Sequence, residues 1–512
     1  MNRITRRKFL GQVAATAAIA AAASLPHNVP AQAATPAARK PNVLFIMSDD
    51  MRVELGCYGS RFHAQTPNLD ALAKSGVRFD RNYCQFPLCN PSRASLLTGR
   101  NPTKTGVLGN RTDFRVAHPD WTSLPQLFRQ NGYVSVRAGK IFHGGIDDPK
   151  AWDSTSGGTA ADEGGMQSAN VGQALIAASG TGAPATNDPA ASPPATPGES
   201  EGQRRAAYSD RIVVLEGNGE NHGDYHSVDR TIENLRKYKD QPFFIACGFV
   251  KPHSPPTAPK RFFDLYDVNQ IQLTPDFAAW PTVPPGFPSA AIRKHNADLF
   301  IGRPATEAGA KEVIRAYLAS ISWVDWNVGR LLAELDALGL RENTIVVFLA
   351  DHGYQLGEKG KWSKAGSLFE MGTRVPFIIS APNAEGNGQA SPRIVESLDL
   401  YPTLVGLCGL PQQPEIEGTS VAPLLKNPAA DWDKPAFSVW SEDGKTFHGV
   451  AVRTEKWRYA EYGKDGINGA FLIDSKADPL ELKNLAADPR YGSVVAQLSS
   501  LTRNYAARLG SA

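Results

Sequence analysis

Two apolar runs, far apart in the chain, each end abruptly in charged or metal-ligating side chains. Val43-Leu44-Phe45-Ile46-Met47, inside Pro41 to Ser48, is continuous rather than alternating, which is the pattern of a strand buried on both faces. It stops at Asp49-Asp50. Thr344 to Ala350 repeats the pattern and stops at Asp351-His352-Gly353. In an open parallel sheet the C-terminal strand ends line one crevice. The chain is therefore expected to fold as an α/β protein in which Asp49, Asp50, Asp351 and His352 meet. Adjacent carboxylates repel, so Asp49-Asp50 needs either a cation or the full solvation of an exposed turn. Three carboxylates and one imidazole make a mostly oxygen site for a hard cation, Ca²⁺ first and Mg²⁺ second. Zn²⁺ fits less well.

Other segments extend this pattern. Val77 to Phe79 and Tyr133 to Ala138 read as strands, the second followed by Lys140 and His143. Pro242 to Val250 is a further apolar strand, ending in Lys251-Pro252-His253. Helices are expected from Pro67 to Gly76, Trp121 to Gln130, His226 to Lys239, Glu312 to Leu338 and Asp399 to Leu407, with Trp323 and Trp326 as packing residues. Ser154 to Ala207 is dominated by Gly, Ala, Ser, Thr and Pro and reads as a long surface insertion. After residue 430 the pattern changes to short strands, Ala436 to Trp440, His448 to Arg453, Trp457 to Tyr462 and Ala470 to Asp474, then a closing helix within Asp488 to Leu509. Residues 431–512 form a smaller α+β subdomain on this reading, and 35–430 the catalytic domain.

Cys89-Asn90-Pro91-Ser92-Arg93 reads as a loop turning into a helix. Asn90 is a candidate cap, Pro91 suits a first helical position and Gly99 a stop. Cys89 then sits at a helix N-terminus with Arg93 one turn along. Free N–H groups, the helix dipole and a guanidinium would act there on an anion. A buried or metal-binding cysteine is the alternative. The five cysteines, Cys57, Cys84, Cys89, Cys247 and Cys408, match no zinc spacing and are too few for a disulfide scaffold, although one or two bridges remain open.

Charge resides mainly at the N-terminus. Net charge is +3, and Arg3, Arg6, Arg7 and Lys8 carry it; without residues 1–34 the chain is at −1. No basic surface for nucleic acid is indicated. Arg6-Arg7-Lys8-Phe9-Leu10, an Ala-rich stretch to about Leu25, and Ala31-Gln32-Ala33 read as a cleaved twin-arginine export signal over residues 1–34. That places the protein in the periplasm or outside the cell, with the twin-arginine machinery as an export partner.

Asp49, Asp50, Cys89, Arg93, Lys140, His143, His253, Asp351, His352 and Lys364 together supply a divalent cation site, three further cations, two free histidines and a nucleophile. Such a set suits hydrolysis of an oxyanion ester, with charge on the transferred group offset and one histidine acting as acid, the other as base. Sulfate and phosphate esters both fit.

Cys89-Asn90-Pro91-Ser92-Arg93 with Leu97-Thr98-Gly99-Arg100 resembles the signature of the formylglycine-dependent (type I) sulfatases. The resemblance runs from about residue 40 to 490. It takes in Asn42 to Asp50, Asp351-His352-Gly353, Asp399-Leu400-Tyr401-Pro402-Thr403 and Asp478-Pro479 with Asn484-Leu485. Gly139-Lys140-Ile141-Phe142-His143, Lys251-Pro252-His253, and Gly357-Glu358 with Trp362-Ser363-Lys364 resemble the iduronate-2-sulfatase branch most. The Ser154–Ala207 insertion matches nothing there.

The resemblance implies an alkaline-phosphatase-like α/β fold, a large mixed sheet flanked by helices. It implies Cα-formylglycine at residue 89, made by a formylglycine-generating enzyme, with Ca²⁺ held by Asp49, Asp50, residue 89, Asp351 and His352. A hydrated aldehyde at 89 would attack sulfur, giving a sulfated intermediate that collapses to expel sulfate. His253 would be the acid, His143 the base, Arg93 a support for the diol, and Lys140 and Lys364 the sulfate clamps. Tyr354, Arg374 and the basic loop 357–364 are expected substrate contacts. The implied substrate is a sulfated sugar or glycan. A phosphodiesterase or phosphonate monoester hydrolase of the same superfamily is the alternative, and a non-catalytic carbohydrate-binding protein on the same fold is a third reading. The sequence indicates no oligomeric state.

Overall fold

The computed structural model describes residues 40–153 and 201–509. Residues 1–34, expected to be an export signal, and most of the Ser154–Ala207 insertion lie outside these residues.

Strand β1 (Asn42–Asp49) is buried along its whole length. Its alternate side chains serve two separate cores. Leu44 and Ile46 join Leu69, Leu72, Val228, Leu235 and Ile314 on one face; Val43, Phe45 and Met47 join Leu96, Leu97, Leu127, Phe128 and Leu404 on the other. A strand packed by helices on both faces has no polar side to show, which explains the unbroken apolar run.

The sheet is mixed. Alongside β1 are β2 (Val77–Tyr83), β3 (Val134–Gly139), β5 (Phe243–Pro252), β7 (Thr344–Ala350), β8 (Arg374–Val375), β9 (Phe377–Ser380) and β10 (Ala390–Glu396), in the order β10-β2-β9-β7-β1-β5-β3 with β8 pairing β2. Four neighbours, β3, β5, β1 and β7, are mutually parallel, so their C-terminal ends share one edge. β9 runs antiparallel to both β7 and β2. A small parallel pair, β4 (Val213–Leu215) and β6 (Thr257–Pro259), lies apart. β11 (Ala436–Trp440), β12 (Gly449–Arg453), β13 (Trp457–Tyr462) and β14 (Ala470–Asp474) form an antiparallel four-stranded sheet covered by the helix Gly492–Ala506. All described residues form one compact unit.

Several boundaries differ from expectation, each for a local reason. The helix expected from Trp121 starts at Leu124, because Ser123 and Gln126 form a capping box. The helix expected from Glu312 begins at Glu307, where the Thr306 hydroxyl accepts from Gly309 N–H (3.1 Å). The last residues assigned to the insertion belong to a helix, Glu201–Ser209. Trp323 is fully buried against Phe262 and Phe263, and Trp326 packs against the same cluster. None of the five cysteines is in a disulfide. Among the described residues no helix is long and apolar enough to cross a membrane.

β3 ends where its backbone turns sharply towards Lys140. Gly139 has φ +71°, and a Cβ there would stand 2.0 Å from the carbonyl oxygen of Gly248 on β5. Both strain and collision oppose a side chain. Gly139→Ala is expected to cost about 3 kcal/mol or more and to lower activity by displacing Lys140. Urea unfolding beside the wild type measures the cost.

Candidate active site

The shared strand edge gathers the candidate residues. Asp49 and Asp50 leave β1, Lys140 leaves β3, His253 follows β5, and Asp351-His352 follows β7. Opposite them stands the helix Cys89–Thr98, all ten residues of which are buried. Leu88, not Asn90, occupies its N-cap. Asn90 instead donates from Nδ2 to the carbonyls of Gly109 (2.9 Å) and Thr112 (2.7 Å), fastening a neighbouring loop. Gly99 ends the helix in the left-handed conformation, as expected.

Asp50 has φ +62°, unusual for a residue with a side chain. Its N–H donates to Asp351 Oδ1 (3.2 Å) and its carbonyl accepts from the Tyr317 hydroxyl (2.6 Å), so the two strand ends lock the turn. Arg93 Nε donates to Asp351 Oδ2 (2.8 Å), and its Nη1 donates to the carbonyls of Lys140 (2.7 Å) and Ile141 (2.9 Å). One guanidinium thus joins β7, β3 and the Cys89 helix.

Cys89 Sγ lies 3.4 Å from Asp49 Oδ1 and 3.2 Å from His352 Nε2. His352 Nδ1 is 3.1 Å from the Gly353 carbonyl, which turns Nε2 inward. Lys140 Nζ pairs with Asp49 Oδ2. Lys364 Nζ contacts Asp50 Oδ2 (2.9 Å) and His253 Nε2 (2.8 Å), and lies 3.6 Å from Asp298 Oδ1. His253 Nδ1 is 2.8 Å from the Ser254 carbonyl. His143 borders the group with its Nδ1 unpartnered.

Ligand atoms of Asp49, Cys89, Asp351 and His352 lie within 4.8 Å of one another, as do those of Asp49, Asp50, Cys89 and His253. Three buried aspartates converge, and Asp50 Oδ1 accepts no hydrogen bond. Burial pushes the Asp50 carboxyl up to about 7, against Lys364 and His352. Burial alone would lower His352, yet Asp351, Cys89 and Asp50 lift it to about 10. Burial at Asp50 and the surrounding acids at His352 thus favour the protonated forms, and a divalent cation would offset the same acid charge. Burial also raises Asp49, but Lys140 and Arg93 outweigh it and hold the carboxyl well below its usual range. Burial and then Lys140 depress His143, while burial and then Lys364 depress His253, so both are neutral near pH 7. The residues fit a cation surrounded by cationic side chains, an arrangement suited to a bound oxyanion.

All ten residues expected at the site are at or beside it. Two expected substrate contacts have polar groups engaged within the protein. Tyr354 is buried and its hydroxyl donates to the Trp362 carbonyl (2.9 Å). Arg374 lies beside β2, donating to the Asp80 carbonyl (2.7 Å). Of the basic loop, Lys359 pairs with Asp276 (2.9 Å), whereas Lys364 enters the site. Asp298 was not anticipated. Fully buried beside Lys364 and bonded to Arg205 Nη2 (2.9 Å), it sits in an irregular loop without periodicity or motif.

The family described as "Sulfatase" matches residues 41–410, and that described as "N-sulphoglucosamine sulphohydrolase, C-terminal" matches residues 357–507. A protein of Formosa agariphila named "Sulfatase" is 32% identical, covering 90% of this chain and 86% of that protein. The "Iduronate 2-sulfatase" of Mus musculus is 29% identical, over 89% and 93%. The solved phosphonate monoester hydrolase of Agrobacterium radiobacter shares the fold, with a TM-score of 0.69 at 22% identity, over 92% and 96%.

Removing the cation should destabilise the protein, because the aspartates then face one another. Binding contributes about 2.7 kcal/mol at a hundredfold excess over Kd. EDTA treatment is expected to lower Tm and a divalent cation to restore it. A Tm indifferent to both would exclude a cation from this cluster.

Proposed function

The chain belongs to the sulfatase family and is a sulfuric ester hydrolase, and from that premise we propose four specifics: residue 89 is matured to Cα-formylglycine, the cation is Ca²⁺, the ester is borne by a sugar or glycan of the iduronate-2-sulfate kind, and the protein is exported by the twin-arginine route.

The observation that carries this reading is the position of Cys89. Its sulfur belongs to a donor set otherwise made of carboxylates and one imidazole. A soft thiol is a poor ligand for a hard cation, and oxidation of the side chain to an aldehyde places oxygen there instead. When hydrated, formylglycine supplies an attacking oxygen and a second hydroxyl through which sulfate can be expelled. Ca²⁺ supplies charge to offset the sulfate oxygens.

The chain's own residues do the rest. Arg93 fixes Asp351 and the N-terminal turn of the helix, so residue 89 faces the aspartates. Lys140 and Lys364 present buried ammonium groups for sulfate oxygens; burial opposes their charge, but Asp49 keeps Lys140 charged and Asp298 with Asp50 keeps Lys364 charged. With His253 Nδ1–H turned to the Ser254 carbonyl, Nε2 accepts from Lys364 Nζ. The Lys364–His253 pair therefore holds a proton at the leaving-group side, where an alcohol requires one. His143, neutral and with Nδ1 unpartnered, is placed to accept a proton. The relative named iduronate 2-sulfatase, covered along 93% of its length, supports a sugar sulfate as substrate.

Protein from its own host should yield a residue-89 peptide about 18 Da lighter than the cysteine form, as CH₂SH becomes CHO. An unmodified thiol in active enzyme, with Zn²⁺ in metal analysis, would defeat this reading. Cys89→Ala should keep Tm within a few degrees while lowering kcat about 1,000-fold or more. Turnover of sulfate esters should exceed that of the matching phosphate diesters and phosphonate monoesters; the reverse order would favour a phosphonate monoester or phosphodiester hydrolase.

A further inference from the structure

Beside the sulfate end of the site, two buried charged groups have unmet bonding capacity. Asp298 is fully buried. Its Oδ1 accepts from Arg205 Nη2 (2.9 Å) and faces Lys364 (3.6 Å), but its Oδ2 has no hydrogen-bond partner. Lys361 is 2% exposed, and its Nζ has no hydrogen-bond partner either. Asn296 ties the two segments together, accepting from Trp362 N–H (2.9 Å) and donating to the Gly360 carbonyl (3.2 Å). Lys361 and Asp298 lie within electrostatic reach. Burial and then Arg293 bring the ammonium down to about 8, with Asp298 and Glu442 opposing. Arg293 and Glu442 are already paired (3.0 Å).

An unsatisfied buried polar group costs about 1–3 kcal/mol, and a charged one more. Packing does not explain keeping two such groups within electrostatic reach and unbonded to each other; an occupant would. An ammonium only donates and a carboxylate only accepts. A group that satisfies both must accept from Lys361 and donate to Asp298. A second anion is repelled by Asp298, a second cation by Lys361, and an apolar group satisfies neither. A hydroxyl satisfies both.

We propose that Asp298 Oδ2 and Lys361 Nζ form a subsite that binds a free hydroxyl of the sugar bearing the sulfate, with Lys361 as a specificity-determining residue; this rests on the sugar-sulfate reading above. Asp298 serves two purposes through its two oxygens. Oδ1 steadies Lys364 at the sulfate, and Oδ2 reads the sugar. A substrate without hydroxyls leaves Lys361 and half of Asp298 unsatisfied, and that loss discriminates against it.

The test compares kcat/KM of the matured full-length protein on 4-nitrophenyl sulfate, which has no hydroxyl to offer, with that on iduronate 2-sulfate, N-acetylglucosamine 6-sulfate and galactose 4-sulfate. Lys361→Met is expected to lower the ratio of the best sugar to the aryl ester at least tenfold, chiefly through KM. Tm should hold or rise, since an unpaired buried charge is removed. Lys361→Gln, which keeps a donor, should recover part of the ratio. An unchanged ratio overturns the proposal and leaves the gap to water. A falling Tm with equal loss on both ester classes overturns it in favour of a structural lysine. Wild-type turnover of the aryl ester and none of the sugars overturns it together with the carbohydrate reading, leaving sulfate ester hydrolysis intact. No turnover of either class by the matured protein overturns the proposal and the carbohydrate reading together.

Discussion

A single buried guanidinium decides where the reacting groups stand. Arg93 reaches Asp351 at the end of β7, the Lys140 and Ile141 carbonyls beyond β3, and, from its own helix, the turn that carries Cys89. Its charge is also the helix's share of the balance against Asp49 and Asp351. Arg suits this place better than Lys because a planar fork serves several acceptors at once without deprotonating. Loss of that fork would leave two buried carbonyls and a carboxylate oxygen unmet, so position and charge fail together.

The rest of the site is an exercise in keeping ions out of water. Burial alone would neutralise Asp49, Lys140 and Lys364. Each remains useful because an opposite charge stands within a few ångströms. Such pairs add little net stability, but each member is fixed in place by its partner. This arrangement also explains why the strand ends carry the acids. The parallel strands β3, β5, β1 and β7 finish on one edge, and helices pack both faces, so only the edge is free to hold polar chemistry.

Much of this was legible in the sequence because it depends on period and termination. The runs Val43–Met47 and Thr344–Ala350 announced buried strands, and the acids closing them announced the edge. The four short strands after residue 430 were marked by their turns. What remained hidden depends on contacts between distant loops. Asn90 looked like a cap, but Gly109 and Thr112 compete for its amide. Asp298 lies in an irregular segment beside Asn296, where no repeat tells a reader which side chains turn inward. Tyr354 adjoins Asp351-His352 in sequence, yet its hydroxyl faces the Trp362 carbonyl, and Arg374 faces β2.

The burial of the Cys89 helix imposes an order of events. Cys89 is 2% exposed, and every residue of its helix is buried. For the maturation proposed at residue 89, a modifying enzyme would have to reach the side chain before the sheet and helix meet. Each folded molecule would then preserve whichever state residue 89 had at that moment, and active and inactive molecules would form two populations that interconvert only through unfolding.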